Sequence, residues 1–327
     1  MDLEDEGFVD INLLHPHAKS VLFKAKHPSG GPEFVAVKWM RLYGVTPEWQ
    51  MLCHLVGRPD KRRVDAPKGI VRPLALYPPD GDQDMTYTRW IGMEGCPVNV
   101  LFSMELLVPL PEDGPGLNWT CFVPWALELM RAVAWCHAEG VVHADLGSHN
   151  ALVRDGLPVV VDFGLSNPTR PGVITAGNME KGPIRGNPTY MAPELIHETY
   201  TPSRPSEVVP WVAWYDDARI DSWGVGGILF EWLLGRRRPF THGNWVSMDW
   251  KLECVPRGHE YWLRDNAKPA RLAVRERWEQ SGDLTQKELQ GWMDLVFDGL
   301  LAVDVEQRLH VKDALEKASD WTTVVQF

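Results

Sequence analysis

The sequence predicts an α+β fold, bilobal, with a small β-rich N-lobe and a larger helical C-lobe. Three observations predict it. Short β-rich runs crowd the first hundred or so residues. A breaker cluster, Pro111-Glu112-Asp113-Gly114-Pro115-Gly116, closes that region. Apolar residues at three- and four-residue steps dominate afterwards, so strands and helices are segregated rather than alternating as βαβ units. With 327 residues, 44% of them hydrophobic and 24% charged, the chain can bury a sizeable core. The expected division is a single domain, 1–327, with an N-lobe of about 1–104 and a C-lobe of about 110–327.

In chain order, Ser20-Val21-Leu22-Phe23-Lys24-Ala25-Lys26 and Glu33-Phe34-Val35-Ala36-Val37-Lys38-Trp39, split by a Pro/Gly-rich link, predict a two-strand hairpin. After Pro47, Leu52 and Leu55 share one face of a short helix. Residues 57–69 are charged and Pro/Gly-bearing, a loop, and Ile70–Leu76 and Val98–Leu107 predict two further strands. Val123–Glu139 predicts a helix, with Leu127, Met130, Arg131, Val133, Ala134 and His137 at helical steps and Gly140 as its stop. Later helices are expected at Ala218–Leu234, Thr285–Leu301 and Val311–Ala318, and there is no internal repeat.

The net charge of −11 argues against a nucleic-acid or anionic-membrane surface, which needs clustered Lys and Arg. The clusters Lys61-Arg62-Arg63 and Arg236-Arg237-Arg238 are read as solvated. Five scattered cysteines form no metal-ligand spacing and are expected reduced. The acidic N-terminus has no secretory pattern, and the longest apolar stretch, Trp223–Gly235, contains Glu231 and is too short to span a bilayer. A cytoplasmic protein is expected, and the sixteen tryptophans are read as core filling.

Chemistry concentrates in His143-Ala144-Asp145-Leu146-Gly147-Ser148-His149-Asn150, followed by Asp162-Phe163-Gly164. Two carboxylates and a carboxamide, set by turns at strand ends, are what phosphoryl transfer with bound Mg²⁺ asks for. Short Asp- and Asn-bearing motifs are also ordinary turn residues. Upstream lies Val35-Ala36-Val37-Lys38, and downstream Ala192-Pro193-Glu194, Asp221-Ser222-Trp223-Gly224 and Arg308. In their order and spacing these stretches resemble the eukaryotic-type protein kinase domain, Ser/Thr-like and divergent, over nearly the whole chain.

The resemblance implies roles. Lys38 would meet the nucleotide phosphates, held by Glu48; Asp145 would accept or orient the substrate hydroxyl proton; Asn150 and Asp162 would bind Mg²⁺. Ala36, Met104, Glu105, Leu107 and Leu152 would surround the adenine of ATP, with Met104 preceding a hinge of about 105–109 whose Glu105–Leu107 offer backbone hydrogen bonds. Asp221 would start a long buried helix, and Arg308 would pair with Glu194. His143, Phe163 and Leu52 would be apolar packing. The implied partners are ATP and a protein substrate, with no nucleic acid and no membrane; oligomeric state is unassigned.

The pattern is broken in three places. His15-Pro16-His17-Ala18-Lys19-Ser20 carries no glycine where the family has a Gly-rich phosphate loop. Ala144 replaces the arginine that receives an activation-segment phosphate, so activity without such phosphorylation is expected; Ser166, Thr169, Thr175 and Thr189 stay as hydroxyls without a receiver there. Gly147 stands for a lysine and Asn187 for a threonine near the substrate hydroxyl, with His149 and Arg185 as nearby substitutes. Pro- and Trp-rich stretches between Glu194 and Asp221 and between Phe240 and Leu284 are read as a lid or docking surface. Two function classes stay open: an active ATP-dependent Ser/Thr protein kinase, or a pseudokinase acting by nucleotide binding or scaffolding. A small-molecule kinase is a third, less favoured by the peptide-positioning segment ending at Glu194.

Overall fold

The computed structural model describes residues 3–16, 20–27, 34–77, 99–109, 119–168, 187, 189–193, 217–235, 258–279 and 285–321. The chain divides into two compact units, one of Met1–Val108 with Val159–Ser166, the other of Pro109–Pro158 with Asn167–Phe327.

The first unit is built on strands β1 (Val9–Pro16), β2 (Ser20–Lys26) and β3 (Val35–Arg41), helix α1 (Leu42–Val56), the small β4 (Gly57–Arg58) and β5 (Lys61–Arg62), and strands β6 (Pro73–Tyr77) and β7 (Asn99–Glu105). Its sheet runs β1-β2-β3-β7-β6, antiparallel throughout. The expected hairpin is β2 and β3, with Ala36 opposite Lys24 and Lys38 opposite Leu22. An edge strand, β1, extends it; its exposure and two register shifts erase the alternation by which a strand is read from sequence. Leu3, Phe8, Ala25, Val35, Val37 and Leu101 form the core below the sheet.

Helix α1 is longer than Pro47 suggested, beginning at Leu42. A proline near a helix start removes one hydrogen bond, which the burial of Trp49, Leu52, Leu55 and Val56 outweighs. Trp49 meets Phe102 of β7 edge-on at 6.2 Å, fixing the helix against the sheet. Residues 57–69, expected as loop, include the two-residue strands β4 and β5, with Lys61 and Arg62 exposed. Val159–Ser166 belongs to this unit because Val160 bridges Ile70 in parallel and exchanges backbone bonds with Gly69 and Val71.

The second unit starts with α2 (Trp119–Ala138), ending at Gly140 with φ 75°. Its buried face is Phe122, Trp125, Ala126, Leu129, Met130, Val133 and Cys136, so the expected stripe is right in part: Met130 and Val133 are buried, Leu127, Ala134 and His137 half-buried and Arg131 exposed. With apolar residues on nearly every side of this helix, the tertiary partner selects the inner face. Strands β8 (Val141–Val142), β9 (Ala151–Arg154), β10 (Leu157–Val160, which carries the chain across the unit boundary) and β11 (Asn167–Pro168) frame the stretch His143–Asn150, and β8 pairs with β11.

Helix α3 (Asp217–Leu234) is buried along most of its described length. Helix α4 (Gly258–Glu279) replaces part of the expected lid or docking segment: Ala270, Val274 and Trp278 face inward, and Trp278 Nε1 donates to the Leu233 carbonyl at 2.8 Å. Pro269 in mid-helix and a strongly polar outer face hid it. Helix α5 (Gln286–Asp294) opens on a capping box, Thr285 with Glu288, and runs on as a π-helical turn, Leu295–Leu300; α6 (Val311–Trp321) buries Val311, Ala314 and Ala318. Trp119, Trp125, Trp232, Trp278 and Trp292 pack with Phe122 into one aromatic cluster, with Trp125 stacked on Trp232 at 4.1 Å. These tryptophans are core filling. Among the described residues no helix is long and apolar enough to cross a membrane.

Candidate active site

In the first unit, Lys38 is positioned by β3, Glu48 by α1 and Asp162 by the turn after β10. Lys38 Nζ donates to Glu48 Oε1 at 3.0 Å and Oε2 at 2.8 Å, and to Asp162 Oδ1 at 2.7 Å. The Lys38 and Glu48 side chains are 10% and 1% exposed, whereas Asp162 is 47% exposed, so the array opens to solvent at Asp162. Burial disfavours the Lys38 ammonium, but Glu48 and Asp162 more than offset it and its pKa is raised. Burial also pushes the Glu48 carboxyl up, against the pull of Lys38. Asp162 adopts φ 61° and ψ 71°, with its carboxylate capping the turn at Gly164 N–H (3.4 Å). Left-handed backbone at a non-glycine residue is local strain held by surrounding structure.

Ala36 and Met104 are register partners on β3 and β7 and both buried, Ala36 two residues before Lys38 and on its side of the strand. Glu105 N–H donates to the Arg72 carbonyl (3.2 Å), and its carboxylate accepts from Arg72 N–H (2.8 Å). That amide is therefore occupied, which narrows the expected adenine edge to the other backbone groups of Glu105–Leu107. Leu52 and Phe163 are buried in this unit and His143 in the other.

In the second unit the loop after β8 carries Asp145. Its Oδ1 accepts from Asn187 N–H at 2.9 Å and its Oδ2 from Asn150 Nδ2 at 3.2 Å; Asn150 Nδ2 also donates to the Asp145 carbonyl at 2.9 Å. Asn187 therefore meets Asp145 through its backbone, while its side chain caps Thr189 N–H at 3.0 Å. The Asn150 carboxamide oxygen accepts no hydrogen bond among the described residues, and Leu152 is half-buried on β9. Ala144 sits at φ 64°.

Two further groups hold this loop. Asp221, 1% exposed, accepts from His143 N–H (2.7 Å) and Ala144 N–H (2.9 Å) and lies 3.0 Å from His137 Nε2. The second is a buried relay: Ser148 Oγ lies 2.6 Å from the Tyr190 hydroxyl, which donates to Glu231 Oε1 at 2.5 Å. Burial and the adjacent Glu231 raise the Tyr190 pKa. The one sequence signal for the relay was a carboxylate inside the apolar stretch of α3.

The pairing of Arg308 with Glu194 lies outside the described residues, as do Pro188, His17, Ala18, Lys19, Thr169, Thr175, Arg185, Arg236 to Arg238, Cys96 and Cys254. Arg308 itself is buried, donates to the carbonyls of Ala302 (2.9 Å) and Arg219 (3.2 Å), and stands over Trp223.

The described residues contain no cluster of three His, Cys, Asp or Glu side chains able to hold a metal alone. Two carboxylates around one ammonium leave surplus negative charge for a cation to neutralise.

The protein kinase domain family matches residues 91–319, and the chain belongs to that family. It is 33% identical over 153 residues to CBL-interacting protein kinase 20 of Oryza sativa subsp. japonica, covering 44% of this chain and 28% of that protein. It is 34% identical over 110 residues to the SNF1-like protein kinase ssp2 of Schizosaccharomyces pombe, covering 33% and 16%. CBL-interacting serine/threonine-protein kinase 15 of Arabidopsis thaliana is 31% identical over 145 residues, covering 43% and 30%. The chain thus spans less than a third of the length of these relatives.

Proposed function

We propose that this chain is an active protein kinase that transfers the γ-phosphoryl group of ATP to a Ser or Thr hydroxyl. The observation that carries the reading is the buried Lys38 ammonium, bonded to both Glu48 and Asp162 across 10 and 124 residues of chain. Burying a charge is costly unless partners compensate it, and a pair serving stability alone has no need of a half-exposed third member. Lys38 meets the α- and β-phosphates, Glu48 holds it in line, and Asp162 and Asn150 offer oxygens to Mg²⁺, which supplies charge neutralisation when bound. Asp145 takes or orients the acceptor proton. Ala36, Met104, Leu107 and Leu152 offer apolar surface to adenine, with Glu105 contributing backbone. The names of the relatives support a Ser/Thr acceptor.

Ala144 has no charge with which to receive a phosphate, and its backbone is anchored by Asp221 instead. Turnover therefore proceeds without activation-segment phosphorylation, and phosphatase treatment is expected to leave it within about twofold, since no charge-assisted contact is lost there.

The test is Mg²⁺-ATP binding and γ-phosphate transfer to a Ser/Thr peptide library by the purified protein, beside Asp145→Asn and Asp162→Asn. Asp145→Asn should bind nucleotide and fail to transfer, and Asp162→Asn should lose both in large part. Thermal stabilisation by Mg²⁺-ATP with no transfer by the wild type would replace this reading with a nucleotide-binding scaffold.

A further inference from the structure

Gly147 has φ −167° and ψ 170°, extended backbone open to any residue, so its missing side chain answers to space. A Cβ there would stand 2.6 Å from His149 Cε1, 2.7 Å from His149 Nδ1 and 2.6 Å from Tyr190 Cδ2. Tyr190 cannot readily yield, because its hydroxyl is held between Ser148 and Glu231. The imidazole thus fills the volume that a side chain at 147 would enter, 5.7 Å from the Tyr190 ring between centroids.

That placement turns the other edge of the ring towards the proposed base. His149 Nε2 lies 3.8 Å from Asp145 Oδ1, with the two side chains 39% and 16% exposed. This is too long for a hydrogen bond, and it leaves room for one oxygen about 3 Å from both groups. Asp145 is already held by Asn187 and Asn150, so His149 is not required to orient it.

We propose that His149 is a catalytic residue, donating a hydrogen bond from Nε2–H to an oxygen of the transferring phosphoryl group beside Asp145. The inference rests on the phosphotransfer reading. In the step, the acceptor O–H gives its proton to Asp145 and its oxygen bonds to the γ-phosphorus. The bond from that phosphorus to the bridging oxygen breaks, and the electron pair leaves on ADP. His149 keeps its proton throughout; an imidazole with hydrogen on Nε2 suffices. Gly147 and His149 act as a complementary pair, one vacating the space that the other uses.

The test compares His149→Ala, His149→Gln and the double variant Gly147→Lys with His149→Ala, with folding checked by circular dichroism. Loss of one transition-state donor predicts a fall of about 100-fold in kcat for His149→Ala, with KM for Mg²⁺-ATP unchanged within about twofold. His149→Gln retains a donor and should keep part of the rate. The double variant should stay as low as His149→Ala, because a Cβ at 147 would still stand 2.6 Å from the held Tyr190 ring. Apart from activity, diethyl pyrocarbonate should modify His149 in the free protein, and Mg²⁺-ADP, aluminium fluoride and an acceptor peptide together should protect it. Wild-type transfer with His149→Ala within about threefold of it, or modification undiminished by those ligands, overturns this inference and leaves the phosphotransfer reading standing. No transfer by the wild type overturns both.

Discussion

Lys38 and Glu48 show how a buried ion pair behaves when one member is removed. Lys38→Met strands a carboxylate that is 1% exposed, and the expected loss is about 3–5 kcal/mol in a denaturant titration. Lys38→Met with Glu48→Gln should recover part of it, because no uncompensated charge stays inside. The pH dependence follows from the raised Glu48 pKa. A folded carboxyl titrating above its unfolded value binds more protons than the unfolded chain, so its contribution is present at low pH and lost as pH rises through the folded value. Without Lys38 that rise is larger, and the stability gap between Lys38→Met and wild type should shrink as pH falls. In the wild type the Lys38 contribution persists below the ordinary lysine range and is lost only at strongly alkaline pH.

At the scale of elements, α3 is the rod on which the loop His143–Asn150 is mounted, through Asp221 at its first turns and Glu231 near its end. Between them Gly224 lets the loop approach closely: a Cβ would fall 2.6 Å from Leu146 Cβ and 2.8 Å from the Leu146 carbonyl oxygen. Gly224→Ala should therefore cost about 1–3 kcal/mol despite the better helix propensity of alanine, measured by thermal or urea unfolding. Tyr190→Phe breaks the relay and leaves the buried Glu231 carboxylate without that donor. The expected cost is about 1–3 kcal/mol, and Tyr190→Phe combined with Glu231→Leu should be less destabilised than the sum of the single changes. On α5, Thr285→Ala removes the capping box and should cost about 1 kcal/mol.

Across the whole molecule the thiols provide a graded probe of opening. Cys121 is exposed, Cys53 is half-buried with a pKa pushed up to about 11 chiefly by burial, and Cys136 is buried with its pKa raised further. Thiolate is the reactive form, so a raised pKa lowers reactivity at a given pH. Iodoacetamide at about pH 8, followed by peptide mass spectrometry, should label Cys121 first, Cys53 slowly and Cys136 only as the second unit unfolds. Labelling of Cys136 as fast as Cys121 in the native protein would contradict its burial in α2.

The sequence by itself determined the α+β class, the helices around α2, α3, α5 and α6, and the membership in a family whose short motifs stand in order along the chain. Those features are local: a motif or a helical period is written within a few adjacent residues. Through the resemblance it also paired Lys38 with Glu48, and the structure brings these two side chains together; that Asp162 joins them was not read from the sequence. Only the tertiary structure decided which face of α2 is buried, that Gly258–Glu279 is a helix packed through Ala270, Val274 and Trp278, and that Asp221, Tyr190 and Glu231 hold the loop His143–Asn150. It likewise decided that the absent side chain of Gly147 makes room for His149. Each of these depends on groups from separate elements meeting in a water-poor interior, where the choice among apolar faces and the pairing of buried polar groups are set by packing rather than by local sequence.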